Sequence, residues 1–281
     1  MPEISEAVLI TGCSSGIGRA TAERLARGGR TVYATARRPE SIADLEAAGC
    51  KTLALDVTDE QSMQAAVRTV EEAEGAVGVL VNNAGYSQSG AVESVPLDEV
   101  RRQFETNVFG LIRLTQLVLP KMRAQRWGRI VNLSSVGGKI TLPGGAYYHA
   151  TKHAVEAMSD ALRFEVSGFG IDVVIIEPGA IKTSFGDTAT ASIAQHADGP
   201  YAAFNVQVAE KIKDAFEGQL ERFAGEPIDV ARKIERAISV PKPRTRYPVT
   251  AAAHLLTRLR PILPDRAFDA FLRTQFKPPQ P

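Results

Sequence analysis

The feature that most constrains this chain is a regular alternation over its first 178 residues, in which short runs rich in β-branched residues are separated by segments of helical period. The runs are AVLIT (7–11), TVYATA (31–36), KTLALDV (51–57), VGVLVNN (77–83), GRIVNLSS (128–135) and IDVVIIEP (171–178). Between them lie amphipathic stretches such as GIGRATAERLARGG and DEQSMQAAVRTVEEAEG. Strand and helix in turn at this spacing predict a parallel sheet covered on both faces. The runs are almost continuously apolar, as expected for parallel strands buried on both sides. The fold class predicted is therefore α/β, one doubly wound domain.

After Pro178-Gly179 the pattern weakens. The segment AIKTSFGDTATASIAQHADGPYAAF is small, polar and without clear period, and beside the C-terminal edge of a sheet it reads as a mobile lid over about residues 180–205. Helical period returns in VAEKIKDAFEGQLERF and IDVARKIERAIS. A strand-like PRTRYPV and the block AAAHLLTRLRPILPDRAFDAFLRTQF follow. Residues 1–227 are expected to form the main domain, lid included, and 228–281 a helical extension packed on it. That extension holds 11 Lys and Arg against 4 Asp and Glu, with Leu255, Leu256, Leu259, Phe268, Phe271 and Leu272 at helical spacings. Such stripes usually pack on the parent domain; a basic amphipathic helix also suits peripheral contact with an anionic membrane.

Composition excludes several functions. With 33 basic and 32 acidic residues there is no global field to draw nucleic acid. Cys13 and Cys50 have no paired or metal-ligand spacing and read as free thiols, and four scattered histidines supply no zinc cluster. The first residues lack a basic leader and no run approaches the roughly 18 apolar residues of a membrane span. A cytoplasmic enzyme is the expectation.

Directly after the first run stands Thr11-Gly12-Cys13-Ser14-Ser15-Gly16-Ile17-Gly18. Glycines at a strand-to-helix turn permit unusual backbone angles, let a pyrophosphate approach the main chain and allow close helix packing. The following helix N-terminus offers N–H groups and a positive dipole end to phosphates. A second chemical signal is Ala146-Tyr147-Tyr148-His149-Ala150-Thr151-Lys152, at the start of a long predicted helix. Residues four apart on a helix share a face, whereas five apart they are rotated by roughly 140°. Tyr148 therefore faces Lys152 and Tyr147 does not. An ammonium held near a phenol favours phenolate, so Lys152 is expected to lower the Tyr148 pKa toward the range useful for proton transfer. Tyr147 is left to pack or to line a substrate entrance, and His149 and His153 read as helix-surface or interface residues.

The spacing TGxxxGxG, with NNAG at Asn82 to Gly85 and YxxxK at Tyr148 to Lys152, resembles the short-chain dehydrogenase/reductase family over about residues 7–185, closest in character to members acting on hydroxysteroids and retinol. The resemblance implies a Rossmann domain of about seven parallel strands. It also implies a homodimer or homotetramer, and reversible hydride transfer between a nicotinamide cofactor and an apolar carbonyl or alcohol. Gly12, Ser14, Ser15, Gly16, Ile17 and Gly18 would hold the pyrophosphate side. Asp56, with Val57, matches the position that contacts adenine; Asn83, Ala84 and Gly85 pass the ribose. Pro178, Gly179 and Thr183 match the motif whose threonine bonds the carboxamide. Ser134 and Ser135 both leave the fifth run at the sheet edge, only one able to face the site; the family's offset of thirteen residues before the tyrosine selects Ser135. The family also assigns Asn107, predicted to be a buried amide on a helix face with Phe104, Val108, Leu111 and Leu114, to a water relay beside Lys152, and a helix irregularity with a bound water would satisfy it. The catalytic set implied is Asn107, Ser135, Tyr148 and Lys152.

Cofactor choice follows from charge. An enzyme using NAD commonly carries a carboxylate about 20 residues beyond the glycines. This chain has Thr35-Ala36-Arg37-Arg38 there, which suits a 2′-phosphate, so NADP(H) is expected with Arg37 as first contact and Arg38 and Ser14 assisting. Two other readings share the fold: an NADP(H)-binding regulator without turnover, against which the intact catalytic set argues, and an epimerase or dehydratase, which would want different glycine spacing and a larger C-terminal domain.

Overall fold

A computed structural model of the protein describes residues 4–194, 199–217 and 224–279. Its sheet has seven parallel strands: β1 (Val8–Ile10), β2 (Val32–Ala36), β3 (Lys51–Ala54), β4 (Val79–Asn82), β5 (Gly128–Leu133), β6 (Ile171–Glu177) and β7 (Arg246–Pro248). The order β3-β2-β1-β4-β5-β6-β7 places the reversal of winding between β1 and β4. Ligands of open α/β sheets bind at the carboxyl ends of strands flanking such a reversal. Each of the six runs forms a strand, and the seventh comes from PRTRYPV, inside the segment read as a helical extension.

Alternation along the strands divides the interior in two. Val8, Ile10, Val79, Val81, Val131 and Val174 pack on one face against α1 (Gly16–Arg27) and α8 (Pro227–Ser239), through Leu25, Val230 and Ile234. Leu9, Leu80, Ile130 and Val173 pack on the other against α2 (Glu60–Glu74) and α4 (Gly110–Gln125), through Met63, Val67, Leu114 and Val118. Period two in a strand gives both faces an apolar set, which is why the runs look continuous in sequence. Asp59 caps α2 by accepting from the N–H groups of Gln61 and Ser62. The buried guanidinium of Arg129 on β5 donates to the carbonyls of Ala237 and Val240 at the C-terminus of α8 and pairs with Asp172 at 3.2 Å.

A polar rung crosses this apolar interior. Asn82 and Asn132, register partners on β4 and β5, are joined by a 2.9 Å bond from Asn82 Nδ2 to Asn132 Oδ1. Asn132 Nδ2 continues to Ser159 Oγ at 2.9 Å on α5 (Ala146–Val166), and Asn82 Nδ2 lies 3.3 Å from Thr115 Oγ1 on α4.

The segment expected to be an irregular lid is largely helical. It contains α6 (Phe185–Ala194) and runs into α7 (Ala202–Glu217), with residues 195–198 outside the described set. Ile193, Phe204 and Val208 form a small core with Ala91, onto which Phe276 from the C-terminal segment also packs. Small and β-branched residues over 185–194 hid the helical period, which appears only once Ala189, Ser192 and Ile193 are buried together. Residues 218–223, the end of the helical stretch read after the lid, lie outside the described residues.

Helix α3 (Leu97–Phe104) leads through a π-helical turn at Glu105–Phe109 into α4. The C-terminal α9 (Ala251–Leu259) and α10 (Asp265–Gln275) bury Ala253 and Phe268 but leave Leu255 and Phe271 exposed, as is Ile262 in the turn between them. No helix among the described residues is long and apolar enough to cross a membrane.

Candidate active site

The β1–α1 turn is shaped by contacts that exclude side chains. Gly12 and Gly16 have φ of +73° and +56°, a region other residues rarely enter. A Cβ on Gly16 would sit 2.9 Å from Thr183 Cγ2, and one on Gly18 would strike the Gly12 carbonyl and lie 2.5 Å from Asn83 Nδ2. Ser15 is the N-cap of α1, but its side chain accepts none of the first N–H groups, and the first turn carries no acidic residue. Those donors, with bare glycine backbone beside them, fit a dinucleotide pyrophosphate. Ser14 and Ser15 are exposed, Ile17 half-buried, and Ser15 Oγ lies 3.3 Å from Ser184 Oγ.

The loop after β4 is tied to this turn by a residue the motif contained but whose role the sequence reading did not isolate. Thr11 Oγ1 accepts from the N–H groups of Asn83 and Ala84 at 3.0 and 2.9 Å, while Asn83 Nδ2 donates to the carbonyls of Thr11 and Gly12. Its signal was a buried hydroxyl just before the first glycine. Arg37 and Arg38, at the end of β2, are both exposed. Asp56 Oδ1 accepts from the N–H and hydroxyl of Thr58, so this carboxylate already closes a local turn; Val57 beside it is buried, its carbonyl against Gly110. The carbonyl of Pro178 accepts from Val136 N at 2.8 Å, Gly179 packs against Thr250, and Thr183 Oγ1 accepts from Phe185 N at 3.2 Å as α6 begins.

Helix α5 brings Tyr148 and Lys152 to the same place. Lys152 Nζ stands 5.8 Å from the Tyr148 ring centroid and donates to the Leu133 carbonyl at 2.7 Å. Tyr147 turns away, its hydroxyl donating to the Val92 carbonyl at 2.8 Å. Ser135 Oγ accepts from Gly137 N at 3.0 Å, lies 3.5 Å from the Pro178 carbonyl and hydrogen-bonds the Tyr148 side chain. Ser134 is buried and its hydroxyl has no hydrogen-bond partner among the described residues.

Asn107 sits in the π-helical turn, 2% exposed. The expected irregularity is present, and protein groups engage the amide. Nδ2 donates to Tyr86 O and Thr151 Oγ1 at 2.9 and 3.1 Å, and Oδ1 accepts from Tyr86 N at 3.1 Å. Gly85 lets this asparagine and the lysine approach, since a Cβ there would lie 3.1 Å from Asn107 Oδ1 and 3.8 Å from Lys152 Nζ.

Two expectations about titration and exposure are corrected. Burial pushes the Tyr148 phenol up to about 12, against the lowering effect of its bond to Ser135, so the anticipated depression by Lys152 is absent. The lysine itself is the group brought down, to about 8, by burial that Glu156 partly offsets. His149 is buried rather than on the surface. It is wedged between Gly137 and Gly145, edge-on to Tyr148 at 5.6 Å, and burial takes it down to about 4. A neutral ring 3.2 Å from the Gly137 carbonyl must carry its proton on Nδ1. The glycines flanking positions 137 and 145 were the available signal for that wedge. His153 is exposed, as expected.

Phe185, at the start of α6, meets the Tyr148 ring edge-on at 5.4 Å, so the lid helix roofs the tyrosine with an apolar group. Its far end is latched to the loop after β4, where Ser192 Oγ accepts from Ser89 N at 3.0 Å.

Comparison with known proteins shows likeness in sequence and in fold. A sequence model described as "short chain dehydrogenase" matches residues 6–194. An NADPH-dependent 3-dehydrocapnine reductase of Ornithobacterium rhinotracheale is 34% identical, over 96% of each chain. A 3-ketodihydrosphingosine reductase of Bacteroides thetaiotaomicron is 42% identical over 64% of this chain and 65% of its own length. Among solved structures, a short-chain dehydrogenase from Streptomyces avermitilis superposes with a TM-score of 0.80 at 36% identity over 96% of each chain. One from Burkholderia phymatum, in complex with NAD, gives 0.79 at 26% identity over 100% of this chain and 99% of that one.

Proposed function

Since this chain belongs to the short-chain dehydrogenase/reductase family, we propose that it interconverts a carbonyl and an alcohol on an apolar, lipid-, steroid- or retinoid-like substrate, using NADP(H) in preference to NAD(H). The observation that carries the reading is the convergence of Tyr148, Ser135 and Lys152 at the sheet edge beside an uncapped, glycine-walled helix N-terminus. When bound, the nicotinamide supplies hydride to the carbonyl carbon or takes it from the alcohol.

This chain's own residues account for the proton and the charge. Tyr148, protonated at neutral pH with its pKa about 12, donates its proton to the oxygen as negative charge develops there. Ser135 turns its hydroxyl to the same oxygen and stabilises that charge. Lys152 holds the ribose and, as an ammonium, compensates the phenolate left on Tyr148. Asn107 has committed both N–H donors and one acceptor site to protein groups, leaving one lone pair on Oδ1 for a relay water.

The glycine turn, Ser14, Ser15 and Ile17 hold the pyrophosphate. Asp56, Val57, Asn83, Ala84 and Gly85 line the adenosine and ribose, and Pro178, Gly179 and Thr183 the carboxamide. Arg37 and Arg38 contact the 2′-phosphate; their exposure at the end of β2, where no carboxylate stands in sequence, supports NADP(H). The apolar substrate is supported by Phe185 over Tyr148, and the two reductases named above widen the choice toward 3-keto lipids. In the cytoplasmic enzyme, residues 1–227 form the catalytic part and 228–281 close the domain. Phe109, Ala157, Ala161 and Phe164 on the outer faces of the α4 and α5 region, all exposed, associate in a homodimer or homotetramer. The basic C-terminal helices touch anionic membrane.

The test is reduction by NADPH, and separately by NADH, of a panel of steroids, retinoids, quinones, ketoacids, aliphatic aldehydes and 3-ketodihydrosphingosine. Tyr148→Phe should lower turnover by about 10³-fold while leaving NADPH binding nearly intact. Retained turnover in that variant would remove the assignment.

A further inference from the structure

One helical turn beyond Lys152, the side chain of Glu156 meets that of Glu177 in the interior. Glu156 on α5 is 4% exposed and Glu177, at the end of β6, 2%. Arg246 Nε reaches toward both carboxyl groups, yet neither Glu156 Oε1 nor Glu177 Oε1 receives a hydrogen bond among the described residues. Two buried carboxylates drawn to one guanidinium nitrogen repel one another, and a proton shared between them relieves that repulsion and supplies a donor that neither oxygen otherwise has. The charged groups around the pair come from three elements. Lys139, in the turn after β5, lies 2.7 Å from Glu156 Oε2; Arg246, on β7, is 3.0 Å from Glu156 Oε2 and 3.5 Å from Glu177 Oε1. Asp160 on α5 takes two 2.7 Å bonds from Arg246 and one from Arg163, and Lys152 precedes Glu156 by four residues. The unpartnered Ser134 hydroxyl is also close: a Cβ on Gly138 would lie 2.6 Å from Ser134 Oγ and 2.9 Å from Glu156 Cγ.

We propose that Glu156 and Glu177 hold one proton between them and act as positioning residues for Lys152, with Glu156 supplying the negative charge that keeps the buried lysine an ammonium. The inference rests on the role assigned above to Lys152. Burial and the neighbouring Glu156 push the Glu177 carboxyl up, which marks it as the proton's main holder, and Glu156 raises Lys152 against its burial. Among the described residues only the Leu133 carbonyl accepts a hydrogen bond from the lysine, so its charge is answered by the carboxylate of Glu156, one turn along the same helix.

The sign of the expected effect is fixed. Removing a negative charge near a cation lowers the pH at which the cation loses its proton. In Glu156→Gln, measured with saturating NADPH, the alkaline limb of kcat/KM for reduction should move by about one pH unit toward acid. Glu177→Gln, whose amide can replace the shared proton as donor, should move it less. Infrared spectroscopy, which needs no turnover, tests the proton directly: the wild-type protein should show a protonated-carboxyl band at neutral pH that Glu177→Gln removes. A folded Glu156→Gln enzyme with an unmoved alkaline limb overturns the positioning role. A wild-type minus Glu177→Gln difference spectrum without the band overturns the shared proton, also where Glu156→Gln fails to fold. Neither result bears on whether Tyr148 is the acid, which the Tyr148→Phe measurement decides.

Discussion

At the turn between β1 and α1 the backbone itself sets the geometry, whereas across the cleft α6 is positioned by a few side chains. Gly12, Gly16 and Gly18 each sit where a Cβ would press on backbone or on a neighbouring side chain, and Thr11 with Asn83 stitches that turn to the loop after β4. Helix α6 depends on Phe185 against Tyr148, Ser192 against the 89 amide, and the small cluster around Ile193 and Phe204. Backbone contacts tolerate almost no substitution and side-chain contacts tolerate many. A turn held by backbone contacts keeps its shape while the residues of α6 can change.

The contrast breaks first, and most severely, at Gly18. Gly18→Ala places a methyl between the Gly12 carbonyl and the Asn83 amide; we expect a loss of about 1–3 kcal/mol in stability by denaturant titration and NADPH binding too weak to measure by calorimetry. Binding near the wild-type value would show the turn to be softer than its contacts imply. Next comes Arg37→Ala, predicted to weaken NADPH by about tenfold or more and leave NADH unchanged, as expected for one charge-assisted bond. Equal losses for both cofactors would move the 2′-phosphate contact elsewhere.

Across the cleft, Phe185→Ala should raise KM for apolar substrates several-fold, on the order of 1 kcal/mol for a partly retained apolar contact, with no change in cofactor affinity. A parallel loss of NADPH affinity would join lid and cofactor site into one unit. The smallest effect is expected at the exposed Ile262, where Ile262→Ser should alter stability by no more than about 0.5 kcal/mol but reduce pelleting with anionic vesicles. Wild-type protein that stays in the supernatant would remove membrane contact altogether.

Much of the β1–α1 side was legible in the sequence because its constraints act locally. Val8 to Ile10 and Val79 to Val81 are apolar on both faces, Gly12 and Gly16 mark left-handed backbone, and Tyr148 and Lys152 are separated by one helical turn. The lid was not legible: the residues of α6 show no strong period by themselves, and their burial depends on Ala91, far away in sequence, and on Phe204 in the next helix. His149 was misread for the same reason, since its wedge is built by Gly137 and Gly145 on either side of a turn. The direction of the Tyr148 shift was missed because helix geometry gives the proximity of Lys152 but not the burial that outweighs it.

The rung joining Asn82 to Asn132 also works as a gauge. Side chains alternate across a strand, so a slip of one residue between β4 and β5 would turn the Asn132 amide to the opposite face and leave two buried amides unmatched, each at a cost of about 1–3 kcal/mol. Asn83 follows the rung by one residue and Ser135 by three, so the loop proposed to pass the ribose and the hydroxyl proposed to face the reacting oxygen are measured from the same cross-strand mark. An amide pair outside the proposed catalytic set thereby sets the separation between the two halves of the proposed site.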